Sequence, residues 1–362
     1  MRARTSQILT RVAEAVFPPL LALLIAFVVG DVLILAFGKS PAAVYRLLLE
    51  GTWRNPYGFG QVLYKATTYA FTGLAFALAR RAGLFSIGAE GQLAAGAFGA
   101  AVVGLALPVG TPWAPAAGLC LVAAAFAGGS VGATAGALKA VFGEHEVIVT
   151  IMVNFIVLAA LNWVVATRLH DPETLHTPAI HAGAFPRLSE VWPALHGSAA
   201  NFTIVLAVVV VGAVAALLSL TKYGYQATAV GLQREAAAAA GISLGWTWFI
   251  ALTLSGAIAG LGGANFVLGY KGYYEDGMAG GAGFIGIAVA VVGKSPFGVL
   301  FVALLFATLS QGGLAIHASM PKQFVEVLQA TVIFTMAAVT PGVRAMIAGS
   351  RVARRAAAGE AS

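Results

Sequence analysis

The sequence predicts an all-α, polytopic membrane protein of about ten transmembrane helices with both termini on the cytoplasmic side. Three observations carry that prediction. Of the 362 residues, 59% are hydrophobic and only 10% charged, where soluble domains carry roughly 25% charged residues. The charges gather in short islands between apolar runs of about 20 residues, the length that spans a bilayer. The basic islands recur on every second loop, the positive-inside bias of a single membrane face.

Spans are expected at 16 to 37, 61 to 79, 88 to 107, 114 to 138, 147 to 166, 201 to 220, 247 to 269, 281 to 293, 297 to 317 and 324 to 347. The first follows Arg2, Arg4 and Arg11 but exceeds a signal-peptide core and lacks a small-x-small cleavage site, so a retained span is expected. Arg80 and Arg81, Lys139, Lys222 and Arg234, Lys294, and finally Arg344, Arg351, Arg354 and Arg355 then fall on the same side as those first arginines. In the opposite loops, Lys39, Arg46 and Arg187 are offset by Glu50, Asp171, Glu173, Glu190, Glu275 and Asp276. The eighth span is short and dense in glycine, with Gly277, Gly280, Gly281, Gly283 and Gly286. A broken or re-entrant passage fits it, and lipid tolerates one only where protein or a water-filled cavity covers the backbone. The external segment 167 to 200 holds His170, His176, His181 and His196 among four prolines. No pair has i,i+4 spacing, which favours a loop with room for a short interfacial helix over a metal site.

The single cysteine, Cys120, lies in an apolar run, so intrachain disulfides, thiolate zinc sites and iron-sulfur clusters are excluded. The formal charge of +7 comes from Lys and Arg flanking spans and reads as topology control; neither a nucleic-acid partner nor a metal or cofactor is expected. Gly293-Lys294-Ser295 resembles the end of a phosphate-binding loop, but Ala288 stands where the motif needs its first glycine. No HExxH, GxSxG or triad is present. The chain is therefore expected to be no enzyme and to take its energy from a partner.

Polar residues inside apolar runs mark candidate positions on a solute pathway. Glu90 and Gln92 sit in the first turn of the third span, where a carboxylate complements the helix dipole or faces the bundle interior. Asn154 lies among Ile148, Ile151, Met152, Phe155 and Ile156, and an amide facing lipid would lack partners. It either bonds a neighbouring helix or meets a solute, with Phe155 as a stacking surface. Asn265 and Gln311 are weaker candidates of the same kind. Gly128, Gly132 and Gly136 on the fourth span, and Gly256 and Gly260 on the seventh, repeat every four residues and read as close helix-packing faces.

Three stretches together carry a family resemblance: GLFSIGAEGQLAAGAFGA from Gly83, GEHEVIVTIMVNFIVL from Gly143 and YGYQATAVGLQREAAAAAGIS from Tyr223. A fourth, GFIGIAVAVVGKSPFGV from Gly283, is also familiar. In that order they resemble the permeases of ribose-type and nucleoside-type ATP-binding-cassette importers, the branched-chain-permease-like superfamily, over nearly the whole chain. The sequence departs from the family at Ser86, where Asn is usual, at Thr228, where Arg is common, and at Gln233 and Arg234, where Asn-Pro is common.

The resemblance implies one permease domain over 1 to 362 in a bacterial inner membrane. It implies as partners an ATPase, a second permease subunit (another chain, or a copy as in the ribose type) and an external substrate-binding lipoprotein. Nucleosides are the first expected solute and a simple sugar such as ribose the second. The cytoplasmic segment 221 to 246 would couple to the ATPase. There Gly231 makes a turn, Glu235, Ala236 and Ala237 form a short docking helix, and Gly241 ends it. An ion-coupled secondary transporter is the rival, but beyond Glu90 and Lys65 the spans offer little to carry an ion.

Overall fold

The computed structural model describes residues 21 to 335 except 22, 173 and 322, together with 338. Arg2, Arg4, Arg11, Arg344, Arg351, Arg354 and Arg355 lie outside the described residues, as do the start of the first expected span and the end of the tenth.

Every regular element among the described residues is a helix, and β-type pairing is confined to two isolated bridges, His176 with Glu275 and Arg187 with Asn201. In order the helices are α1 (Leu23–Ala36), α2 (Pro41–Glu50), α3 (Pro56–Arg81), α4 (Ala89–Ala106), α5 (Trp113–Phe142), α6 (Glu146–Val164), α7 (Thr203–Leu220), α8 (Lys222–Leu232), α9 (Arg234–Ala239), α10 (Leu244–Phe266), α11 (Ala282–Gly293), α12 (Pro296–Ala315) and α13 (Gln323–Thr335). Wider π-type turns extend α6 to Leu169 and α10 to Lys271.

Among the described residues, six helices are long and apolar enough to cross a bilayer: α4, the extended α6 and α10, α5, α7 and α12. A seventh is added if α1 and α2, bent by 112° at their junction, form one span. With that pair counted, three of the ten expected spans fall short of that standard, each for its own reason. Helix α3 is long enough at 26 residues but carries Gln61, Lys65, Thr67, Thr68 and Thr72. It is buried at all but one position from Ala66 to Ala79, so protein rather than lipid sets its composition. Helix α11 has only 12 residues, about 18 Å of helix against a hydrocarbon core of about 30 Å. Of the last span only α13 is described.

The chain divides into two compact units, 52 to 311 and the remainder. In the larger, the two glycine rows meet. A β-carbon on Gly132 of α5 would stand 2.2 Å from the Leu252 carbonyl oxygen of α10, one on Gly256 2.3 Å from the Gly128 carbonyl, and one on Gly260 2.3 Å from the Ala124 carbonyl. Gly96 brings α4 equally close to Gly260. Backbones therefore touch without intervening side chains, the contact that helices in lipid use in place of hydrophobic association. In the smaller unit the Phe27 ring meets Tyr45 edge-on at 5.4 Å, and Gly313 seats Val325 of α13.

The segment 167 to 200 folds back onto the turn after α10. Thr177 and Tyr274 exchange two hydrogen bonds, Thr177 N to Tyr274 O at 2.8 Å and Tyr274 N to Thr177 Oγ1 at 3.0 Å. Ile180 N donates to Gly272 O, and Phe185 N to Leu268 O, both at 2.7 Å. His176 stacks on the Tyr273 ring at 4.2 Å. The segment is thus a folded cover, fixed by backbone bonds to the end of α10.

Candidate functional site

The chain breaks its helical passage after α10. Gly272 ends the helix in the left-handed region at φ 77°, and Gly277, Gly280 and Gly281 take φ 73°, 54° and 83°, conformations that L side chains resist. Helix α11 then starts at Ala282 with its first N–H groups lacking intrahelical acceptors. Glu90 supplies them: its Oε1 accepts from Gly281 N at 2.8 Å and its Oε2 from Gly283 N at 2.7 Å. A carboxylate there also meets the positive end of the α11 dipole. On the other side, the Thr72 hydroxyl of α3 donates to Ala282 O at 3.1 Å. Gly283 and Gly286 make this approach feasible, because a β-carbon on either would lie 2.4 Å from Glu90 N or Thr72 Oγ1 respectively.

Beside this junction lies a cavity of about 330 Å³, walled by α3, the end of α10, the turn before α11 and Ser310 of α12. Lys65 Nζ and the Tyr69 hydroxyl, one turn apart on α3, each donate to Ser310 Oγ at 3.2 Å. Tyr64 stands against Phe266 at 6.0 Å and Tyr270 at 5.3 Å between ring centroids. At the rim Lys271 is neutralised by its ion pair with Glu275.

The residues singled out from sequence separate by position. Glu90 reaches the cavity's edge through the Gly280 to Ala282 turn. Asn265 is fully buried and uses its whole amide: it donates to Tyr64 O (3.1 Å) and Thr68 Oγ1 (2.9 Å) and accepts from Asn201 Nδ2 (2.9 Å) and Thr203 Oγ1 (2.6 Å). With two donors and two acceptor sites engaged, it braces the cavity wall from behind. Asn154 accepts from Gly91 N at 3.0 Å and donates to Ile87 O at 2.7 Å. Together with Thr150, which accepts from Ile87 N at 3.0 Å, it fastens α6 to the entry of α4. Phe155, about 100° further round the helix, is 66% exposed and meets no part of the cavity. Gln92 and Gln311 are buried, and the Gln92 Oε1 atom has no partner among the described residues. Tyr64, Tyr69, Phe266 and Ser310 escaped the sequence reading. The available signal was the i,i+4 spacing of Lys65 and Tyr69, which puts both on one face of α3.

Arg80, Arg81, Lys139, Arg234 and Lys294 gather at one end of the larger unit. Lys139 and Arg234 flank the Trp248 ring at 5.3 Å and 5.4 Å, within cation–π range. Arg234 donates to Gly83 O at 3.4 Å, and Lys139 pairs with Glu146 at 2.9 Å in a buried bridge. Arg80, Arg81 and Lys294 line a shared cavity of about 310 Å³ with Gly231. Gly231 sits directly on the turn after α3, where a β-carbon would be 2.1 Å from Arg81 O. From there α9 projects with Glu235 and Ala236 exposed and Ala237 buried, and it stops at Gly241, φ 78°. The neighbouring Leu232 is 83% exposed.

Residues 58 to 337 match the family described as branched-chain amino acid transport system / permease component. The chain is 35% identical over 323 residues to the guanosine ABC transporter permease protein NupP of Bacillus subtilis, covering 88% of this chain and 92% of that one. It is 32% identical over 330 residues to the nucleoside ABC transporter permease protein NupB of Lactococcus lactis, covering 89% and 90%. It is also 31% identical over 331 residues to a glucose ABC transporter permease protein of Haloferax volcanii, covering 87% and 85%. No solved structure matches. With its family profile spanning most of the chain, from α3 to the described part of the last expected span, this protein belongs to the permease components of the branched-chain amino acid transport type.

Proposed function

We propose that this chain is a membrane-spanning subunit of a bacterial ATP-binding-cassette importer and that it passes nucleosides across the inner membrane. The observation that carries the reading is the similarity, along nearly nine-tenths of the chain, to two permeases named for nucleosides or guanosine. The glucose permease at 31% identity supports a simple sugar as second reading. An external lipoprotein delivers the solute, and a second permease subunit, a different chain in the nucleoside-type arrangement, completes the pore. A separate ATPase drives it, since ATP can shift the balance of inward- and outward-facing states only by binding one better than the other.

The gathering of Arg80, Arg81, Lys139, Arg234 and Lys294 at one end of the larger unit supports that end as cytoplasmic; the proposed topology is one permease domain of ten passes with cytoplasmic termini. Helix α9 and its approach, Gly231, Glu235, Ala236, Ala237 and Gly241, then form the docking surface for the ATPase. Of the pathway candidates, Glu90 holds the broken passage in place, while Gln92, Asn154, Asn265 and Gln311 support its walls. Phe155 faces lipid or the second subunit.

Glu235→Arg is expected to leave membrane insertion intact and to reduce co-purification of the ATPase several-fold, about the effect of reversing one interfacial charge. Equal recovery of the ATPase with wild type and variant would remove α9 from the interface. The reading as a whole is tested in proteoliposomes containing this chain, its partner permease, the ATPase and the lipoprotein. ATP-dependent accumulation of radiolabelled adenosine, insensitive to ionophores, is expected. Accumulation without the ATPase overturns the importer assignment, and ATP-driven uptake of glucose or ribose but not adenosine selects the second reading.

A further inference from the structure

We infer that the cavity beside α11 is an internal binding site for a ribonucleoside, in which Lys65 and Ser310 read the ribose hydroxyls and the aromatic wall of Tyr64 and Phe266 takes the base. The inference rests on the nucleoside reading above and adds to it a place and a set of contacts.

The hydrogen-bond inventory of the wall points to this ligand. An ammonium has three donors, and Lys65 gives one to Ser310 and makes no ion pair with a described residue. Ser310 Oγ accepts from both Lys65 and Tyr69, so its own hydrogen is left to donate outward. This part of the wall therefore offers more donors than acceptors, and an unmatched donor in a desolvated site is costly. A vicinal diol supplies two adjacent hydroxyl oxygens able to accept from such a pair and to pass their own hydrogens on.

A phosphate would also answer the ammonium, but the charges about the cavity already balance. Lys271 and Glu275 on the lining pair with one another, and the Glu90 carboxylate, which holds the turn that forms the cavity's edge, sets one negative charge against that of Lys65. The balance of charge favours a neutral polyol over a phosphorylated one. Beside Lys65 on α3, the Tyr64 ring is braced edge-on by Phe266, a rigid apolar face on which a flat heterocycle can stack. The volume, about 330 Å³, falls at the lower end of small-molecule sites and accommodates a single small solute.

The test is saturation-transfer NMR on the full permease complex in nanodiscs, without lipoprotein or ATP, using adenosine, adenine, 2′,3′-dideoxyadenosine and adenosine 5′-monophosphate as probes. In the wild type, ribose protons of adenosine should receive saturation, and adenosine should bind about tenfold or more tightly than its dideoxy analogue, the effect of losing hydrogen bonds to a charged group. Lys65→Met and the milder Ser310→Ala should each bring adenosine and dideoxyadenosine to within about twofold of one another, while adenine binding stays as in the wild type. Equal binding of adenosine and dideoxyadenosine by the wild type overturns the inference. So does wild-type discrimination in both variants, or tighter binding of the monophosphate than of adenosine. Parallel ATP-driven uptake by the wild-type importer separates the two levels. Normal adenosine uptake with any of those binding results sinks the site alone, and absence of nucleoside uptake sinks the nucleoside reading together with it.

Discussion

Gly132→Val is expected to yield little or no folded permease. The β-carbon alone would lie 2.2 Å from the Leu252 carbonyl oxygen and 3.1 Å from Gly256 Cα, and both are backbone atoms that cannot rotate away. To admit it, α5 and α10 must separate along their length, since Gly128 on one helix and Gly256 and Gly260 on the other hold the same close spacing, and Gly136 continues the contact at 3.0 Å from Phe249 Cα. Overpacking a core ordinarily costs about 1–3 kcal/mol when side chains can adjust. Here the obstacle is main chain, and the contact is the main source of association between the helices, so a larger loss is expected. Gly118→Val on the same helix is the matched control, because nothing lies within 4 Å of a β-carbon there. Fluorescence-detected gel filtration of tagged proteins should show a monodisperse peak for the wild type and Gly118→Val and its loss for Gly132→Val. A wild-type profile and melting midpoint for Gly132→Val would mean that α5 and α10 do not meet as described.

Those glycine rows were legible in the sequence because a four-residue repeat on a helix defines a face, and faces of small residues in lipid pack closely. The apolar runs were legible for the same kind of reason: where lipid is the solvent, span length and composition follow from it. The expectation weakens where lipid stops being the solvent. Helix α3 has threonines and a lysine in place of an apolar stripe because protein surrounds it, and the hydropathy that marks α7 does not mark α3. The break before α11 was visible in its glycines, but the choice between broken and re-entrant was open. What fixes α11 is a carboxylate far back in the chain, and sequence spacing carries no trace of the Glu90 to Gly281 contact. The cavity was least legible. Its donors come from α3 and α12, 245 residues apart, and each alone reads as an ordinary lysine or serine. Asn154 and, more weakly, Asn265 stand out as amides in apolar spans, yet the amide itself does not reveal whether backbone, side chain or solute satisfies it. Both are bonded within the protein, to Gly91 and Ile87 in one case and to Asn201 and Thr68 in the other.

Glu90→Leu should abolish transport, and a graded series at this position should show why. In the wild type the two carboxylate oxygens each accept one backbone N–H of the α11 entry, and a buried, charge-assisted bond of this type is stronger than a neutral one. Leucine removes both acceptors and leaves two donors in a buried site, at about 1–3 kcal/mol each. Glutamine keeps one carbonyl oxygen for one N–H and turns an amide nitrogen toward the other, so about half of the penalty is expected. The order wild type, Glu90→Gln, Glu90→Leu should therefore hold in melting midpoint of the purified complex and in ATP-driven adenosine uptake alike. A helix of 12 residues is too short to be positioned by the bilayer, so its register against α3 depends on Glu90, on Thr72 and on the close fit of Gly283 and Gly286. Gly283→Ala provides a second route to the same defect: it retains the carboxylate but drives a β-carbon to within 2.4 Å of Glu90 N and 2.7 Å of Oε2, and should lower uptake by forcing the α11 entry away from Glu90. If Glu90→Gln and Gly283→Ala both transported like wild type, the passage would not depend on α11 being held at its amino end, and the carboxylate would be a stabilising contact without a part in movement of the solute.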